Sequence, residues 1–116
     1  MINLQHKEPC PECPWRKTSA EGWLGGHPTS YYSDAVACGE IPACHCKDHG
    51  SNDPRTAFCA GATATMANMC MLPHKQPGAA EAVREVGKRA DVFAHAALFH
   101  QHHEGEPWVH PLMRGR

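Results

Sequence analysis

A chain of 116 residues fits one domain, and a 41% apolar fraction with only 7% aromatics leaves that domain a thin core. The net charge of −1 gives no electrostatic case for a nucleic-acid partner, and no run approaches the roughly eighteen apolar residues of a membrane span. Seven cysteines, an odd number, disfavour a closed disulfide framework and point instead to metal as the staple that a thin-cored small domain needs.

Residues 1–27 have no helical period and are rich in Pro, Gly and Trp, so they read as loop. The opening Met1-Ile2-Asn3-Leu4-Gln5-His6-Lys7-Glu8 is polar and lacks the apolar centre of a leader peptide. A cytoplasmic location is therefore expected, where thiols stay reduced and a C-x-x-C reads as metal-binding or catalytic. Residues 29–39 predict a short helix, with Thr29 or Ser30 as cap, Tyr31, Tyr32, Ala35 and Val36 on its apolar face and Gly39 at its end. Residues 40–53 read as loop. Asp53-Pro54 resembles a cap followed by proline in the first turn, so a helix can run from Arg55 to about Met71, with a break near Cys59.

Ala79, Val83, Val86, Ala90, Phe93 and Ala97 recur at spacings of three and four and predict one long C-terminal helix over about 78–102, weakened in the middle by Gly87 and Asp91. The tail from Glu106 to Arg116 should be extended, and no stretch alternates like a strand. The expected fold is mostly α: a loop-rich metal-binding half (1–62) packed on two or three helices (63–104), then a tail (105–116). Loss of the metal should loosen the N-terminal half first and leave the long helix standing.

The chemistry of the sequence is concentrated in Cys10-Pro11-Glu12-Cys13-Pro14-Trp15-Arg16, followed by Cys44-His45-Cys46 and Cys59-Ala60-Gly61. A C-x-x-C turn brings two sulfurs together, and Pro11 and Pro14 stiffen it by fixing φ. Two ligand sets compete. Cys10, Cys13, Cys44 and Cys46 form two close pairs, as in structural zinc sites. Cys10, Cys13, Cys44 and Cys59 form a spread set, suited to the larger [4Fe–4S] cube, whose ligands can come from separate loops. His45 is an alternative fourth ligand, and more often such a histidine hydrogen-bonds a bound sulfur. Trp15 and Trp23 should pack near the metal, and Arg16 should offset thiolate charge or lie in solvent. Cys38 and Cys70, among small apolar residues on predicted helices, are expected to be buried.

The motif Cys-x-x-Cys-Pro-Trp-Arg at Cys10–Arg16, then Cys44-His45, then Cys59-Ala60-Gly61 resembles a family of small uncharacterised bacterial and bacteriophage proteins grouped as a domain of unknown function. The resemblance covers roughly residues 8–62. It implies the spread ligand set Cys10, Cys13, Cys44 and Cys59 and demotes Cys46, an insertion relative to that pattern; it implies no activity. Gly22-Trp23-Leu24-Gly25-Gly26 is similar to the Gly-Trp-Gly-Gly turn of the WhiB-like iron–sulfur regulators. The order of the cysteines differs from theirs, and a glycine-rich turn is the simpler reading.

His95, His100, His102, His103 and His110 make a second concentration of possible ligands, but no H-E-x-x-H spacing accompanies them. They read as solvent-facing residues near a helix end, where the dipole favours them. No nucleophile elbow, P-loop, dinucleotide fingerprint or deaminase motif is present, so catalysis is not expected. The sequence thus predicts a small cytoplasmic iron–sulfur protein, binding [4Fe–4S] in a regulatory, redox-sensing or partner-binding role. A Zn²⁺-stabilised module that binds protein or nucleic acid is the alternative. A protein partner is expected, a nucleic-acid partner is unsupported by net charge, and no membrane association is foreseen.

Overall fold

The computed structural model describes residues 13–22, 24, 28–42, 58–109 and 111–113. Among the described residues there are four α-helices: α1 Thr29–Ala37, α2 Ala60–Asn68, α3 Ala79–Val86 and α4 Ala96–Glu104. Among the described residues there is no strand; one isolated antiparallel bridge pairs Arg16 with Val92. The class is therefore mostly α. Helix α1 packs on α4, and α2 packs on α3.

Helix α1 falls where its periodicity placed it, but its surroundings differ. Its N-cap is Pro28, which offers no side-chain acceptor. Thr29, expected to cap, is buried and donates from Oγ1 to Glu104 of α4. Thr29, Tyr32, Ser33 and Val36 form the buried face, whereas Tyr31 is exposed. Tyr32 reaches past the helix to donate its hydroxyl to the Leu24 carbonyl at 2.6 Å.

Helix α2 begins at Ala60, not near Arg55; Asp53-Pro54 lies outside the described residues. The eight residues from Ala60 to Ala67 are all buried. A helix of Ala, Gly and Thr has little side chain to hold neighbours away, so it can be surrounded on every side. The same composition weakens its signal in sequence, because no polar face marks a period.

The single long C-terminal helix is not formed. Two shorter helices, α3 and α4, replace it, separated by residues 87–95. Gly87 ends α3 with φ 72° and ψ 177°, backbone open essentially to glycine alone. The apolar spacing that suggested one helix survives only in its first turns. Ala79 and Val83 are buried on α3, Ala90 is exposed in the connection, and Phe93 enters the core from a non-helical position. The connection is pinned by Asn68 at the end of α2. Its amide donates to the carbonyls of Arg89 (2.8 Å) and Phe93 (3.2 Å), and its Oδ1 accepts from the Arg89 N–H (3.0 Å). One side chain thereby satisfies three backbone groups that a continuous helix would have satisfied internally. The tail is not wholly extended: a 3₁₀ turn occupies Pro111–Met113. Trp108 ties it to α1 through Nε1–H donated to Asp34 Oδ1 at 3.0 Å.

The core centres on Trp15, which is fully buried and stacks on Phe99 of α4 at a centroid distance of 3.8 Å. Phe93 and Tyr32 meet Phe99 edge-on. Val36, Ile41, Met66 and Val83 fill the space around them. A Trp-to-Phe stack of this kind concentrates in a few rings the burial that a low aromatic fraction spreads thinly elsewhere.

Candidate metal centre

The turn that carries Cys13 is held from three sides. Arg16 N–H closes it on the Cys13 carbonyl at 3.1 Å. Ser19 Oγ–H donates to the Pro14 carbonyl at 3.0 Å. His103 of α4 donates Nε2–H to the same carbonyl at 2.8 Å, while its Nδ1 accepts the Gly22 N–H at 3.0 Å. The two contacts together fix the neutral tautomer with the proton on Nε2. Burial is the first cause that holds the His103 pKa below its ordinary value; the neighbouring His102 pushes the same way, against the Pro14 hydrogen bond and Glu104 and Glu21.

Residues 15–17 then run beside 91–93. Lys17 N–H donates to the Asp91 carbonyl at 3.0 Å and Phe93 N–H to the Trp15 carbonyl at 3.2 Å. Side chains reinforce the pairing: Arg16 Nη1 meets Asp91 Oδ2 at 2.9 Å, and Arg89 clamps both Asp91 oxygens from Nε and Nη2 at 2.8 and 2.9 Å. Hydrogen bonding from Arg89 is the largest cause that brings the Asp91 pKa down to about 2, with the charges of Arg89 and Arg16 adding to it. Arg16, expected beside the thiolates or in solvent, is half-buried in an ion pair with Asp91; Cys10 and Cys44 lie outside the described residues.

Cys59 arrives from the other side as the N-cap of α2. Its Sγ accepts the Ala62 N–H at 3.4 Å, its carbonyl accepts from the Thr63 N–H and hydroxyl, and its own N–H is donated to the Pro42 carbonyl. Cysteine here takes the place of the Ser, Thr, Asp or Asn that usually supply an N-cap acceptor.

These two anchors bring Cys13 Sγ and Cys59 Sγ to 3.7 Å in a buried setting. A disulfide would need about 2.05 Å. Two sulfurs bound tetrahedrally to one zinc at about 2.3 Å stand about 3.8 Å apart, the edge of the tetrahedron. In a [4Fe–4S] cube each thiolate takes its own iron and the sulfurs point outward, further apart than two that share an ion.

Gly61 explains how the approach is possible. A Cβ at that position would overlap Cys13 Sγ and lie 2.9 Å from Trp15 Cβ. The first turn of α2 can therefore sit directly against the Cys13–Trp15 turn only because residue 61 has no side chain. The Cys-x-Gly spacing thus has a geometric reason: Cys59 caps the helix and Gly61 admits the opposite thiol. Trp15 lies beside the thiol pair, with its Cβ against Gly61 and its ring on Phe99. Its Nε1 is buried without a hydrogen-bond partner among the described residues.

Of the predicted ligands the structure brings together Cys13 and Cys59. Cys10, Cys44, Cys46 and His45 lie outside the described residues, as do Trp23 and His110. Among the described residues no group of three or more His, Cys, Asp or Glu could hold a metal ion. Cys38 and Cys70, expected to be buried, are exposed. Cys38 is the C-cap of α1 and Cys70 stands one residue past the C-cap of α2, where the chain leaves each helix.

Of the histidines near the C-terminus, His95 is exposed as expected, but three others differ from the expectation of solvent-facing residues. His103 is buried, His102 packs on Phe93 and donates Nε2–H to the Ser19 carbonyl at 2.7 Å, and His100 meets Ser33 at 3.4 Å. The signal that could have found them is their spacing from Phe99: His103 lies four residues on, on the face that Phe99 buries. Among the described residues no helix is long and apolar enough to cross a membrane. No protein-family model, curated protein or solved structure matches this chain.

Proposed function

We propose that this chain is a small metal-stapled binding module, with Cys13 and Cys59 as two thiolate ligands of one tetrahedral ion, Zn²⁺, and Cys10 and Cys44 as the other two. The observation that carries this reading is the buried 3.7 Å approach of two thiols separated by 46 positions in sequence. Three supports surround it: the Ala62 N–H aimed at Cys59 Sγ, the absent side chain at Gly61, and a turn pinned by His103. Backbone donors to ligand atoms and a tightly packed shell are what orient ligands in structural metal sites. Four thiolates close the coordination sphere and leave no position for substrate, so the role is to build a surface for a partner rather than to catalyse.

A [4Fe–4S] cluster with a redox-sensing or regulatory role is the second reading. The spread of Cys10, Cys13, Cys44 and Cys59 along the sequence favours it.

Anaerobic purification followed by metal and sulfide analysis separates the two. The single-ion reading expects a colourless protein with one equivalent of zinc and no sulfide. A brown protein with absorbance near 400 nm, iron and acid-labile sulfide would replace it with the cluster. Cys13→Ser and Cys59→Ser should each lose metal, and Cys38→Ser and Cys70→Ser should keep it. Full metal content in Cys59→Ser would exclude the ligand set and promote Cys46 or His45.

A further inference from the structure

Beside the Arg16–Asp91 ion pair lies a hollow of roughly 360 Å³ whose lining includes Lys17, Lys88, Arg89, Asn68 and Val92 and contains no carboxylate. The chain as a whole carries a net charge of −1, so three cations around one hollow is a local departure from the average. Lys17 and Lys88 are exposed and come from segments far apart in sequence. Neither ammonium has an acidic partner among the described residues. Asp91, three residues from Lys88, is already held by the guanidinium groups of Arg16 and Arg89, and its pKa is lowered accordingly.

The backbone under these cations is fixed. Lys17 N–H is bonded to the Asp91 carbonyl at 3.0 Å. Arg89 N–H is bonded to Asn68 Oδ1 at 3.0 Å, and the Arg89 carbonyl receives the Asn68 amide at 2.8 Å. The Lys17 stem thus starts from an anchored position and the Lys88 stem from the residue next to one, which lowers the ordering cost of converging on one anion. The hollow is wide open to solvent, so a ligand would rest its phosphate on the cations rather than be enclosed.

We infer that this hollow binds the phosphate of a nucleotide-sized phosphate ester, with Lys17 and Lys88 as its contacts and Arg89 contributing positive field. Lysine suits this role, since its ammonium meets phosphate oxygens as a point charge without a demanding geometry. The shared chemistry covers a free nucleotide and the phosphodiester of a single strand. The inference does not depend on which metal the cysteines hold.

The test is calorimetric titration of the purified protein at low salt with ADP, adenosine, inorganic phosphate and an eight-nucleotide oligothymidylate. ADP should bind saturably, inorganic phosphate should compete with it, and adenosine should not bind. Lys17→Gln/Lys88→Gln should weaken ADP at least tenfold while metal content and helicity are unchanged. Lys75→Gln/Arg84→Gln makes the same change in net charge outside the hollow and should leave affinity within twofold. Tighter binding of the oligonucleotide, with a steeper salt dependence, would identify a strand as the source of the phosphate; preference for ADP would identify a free nucleotide. Absence of saturable ADP binding, binding of adenosine, or equal losses in the two double variants would overturn the proposal.

Discussion

Gly61 and Cys13 compete for the same space: a methyl group on the glycine would overlap the thiol of the cysteine. Neither obstacle can yield cheaply, because Trp15 Cβ stands on the same side at 2.9 Å and Trp15 is fully buried against Phe99. Gly61→Ala should therefore push α2 off the turn. In an exposed helix the same change would help, since alanine is favoured over glycine by about 1 kcal/mol. Here overpacking should reverse the sign and cost about 1–3 kcal/mol. Urea unfolding of the metal-loaded protein would measure it, and unchanged or raised stability would remove Gly61 from the argument for a shared site.

Trp15 makes the N-terminal turn and the C-terminal helix one cooperative unit. It stacks on Phe99, Arg16 pairs with Asp91, and His103 holds the Pro14 carbonyl. The sequence, read as a metal half followed by a helical half, suggested that the second could outlast the first. The contacts argue otherwise. Trp15→Ala should cost about 3–5 kcal/mol. Hydrogen exchange on metal-free protein should show α4 losing protection together with residues 13–19. Persistent protection of α4 alone would restore the view of two separable halves.

Much of this was legible in advance and some was hidden for identifiable reasons. The position of α1 followed from its apolar spacing, and Cys13 and Cys59 belong to the spread set of thiols that the sequence singled out as ligands. The extent of α2 was obscured because a helix buried all round has no amphipathic period. The division of the C-terminal helix was hidden by an accident of spacing: Phe93 keeps the helical register but reaches the core from a loop pinned by Asn68. A side chain that replaces backbone partners from 21 and 25 positions away leaves no local signature.

His103 should make stability depend on pH. Its native pKa lies below the ordinary 6.5, chiefly through burial, so the unfolded chain takes up a proton that the folded chain resists. Above about pH 6.5 both states are neutral at this residue and its contribution is complete. As pH falls below that value the unfolded state gains, with a slope of up to about 1.4 kcal/mol per pH unit until the native group also titrates. Protonation would also place a donor on Nδ1, opposite the Gly22 N–H that it now accepts. His103→Gln can keep one donor and one acceptor but cannot titrate. Its unfolding free energy should therefore fall less between pH 7 and pH 5 than that of the parent, and parallel curves would contradict the assignment.

Asp91 acts in a lower window. Its pKa of about 2 against an ordinary 3.8 means that the ion pairs with Arg89 and Arg16 contribute at all pH above about 4 and are lost as pH falls towards 2. Asp91→Asn should remove that acid-sensitive step and, at neutral pH, loosen the 15–17 segment against 91–93. Amide exchange at Lys17 and Phe93, whose N–H groups bridge the two segments, reads this directly. Equal exchange in both proteins would show that the backbone pairing stands without the ion pairs.

Cys70 occupies a position that usually belongs to glycine. Helix α2 ends in a Schellman arrangement, with Met71 N–H bonded to the Met66 carbonyl at 2.9 Å and Cys70 N–H to that of Ala67 at 3.0 Å. This places Cys70 at φ 58°, the left-handed region, where a side chain costs roughly 1–2 kcal/mol. Helix α1 ends in the same way, with Glu40 N–H on the Ala35 carbonyl and Gly39 N–H on that of Val36, but there the left-handed residue is a glycine at φ 83°. Cys70 is also exposed, so its thiol contributes little packing in return. Cys70→Gly should therefore stabilise the protein, by about 1 kcal/mol after the greater chain entropy of glycine is set against the relieved strain. The metal content should not change. Alkylation under native conditions offers a second check, since Cys38 and Cys70 should react with iodoacetamide while buried Cys13 and Cys59 are protected. A destabilised Cys70→Gly variant, or one with reduced metal, would mean that this thiol has a partner its exposed position conceals.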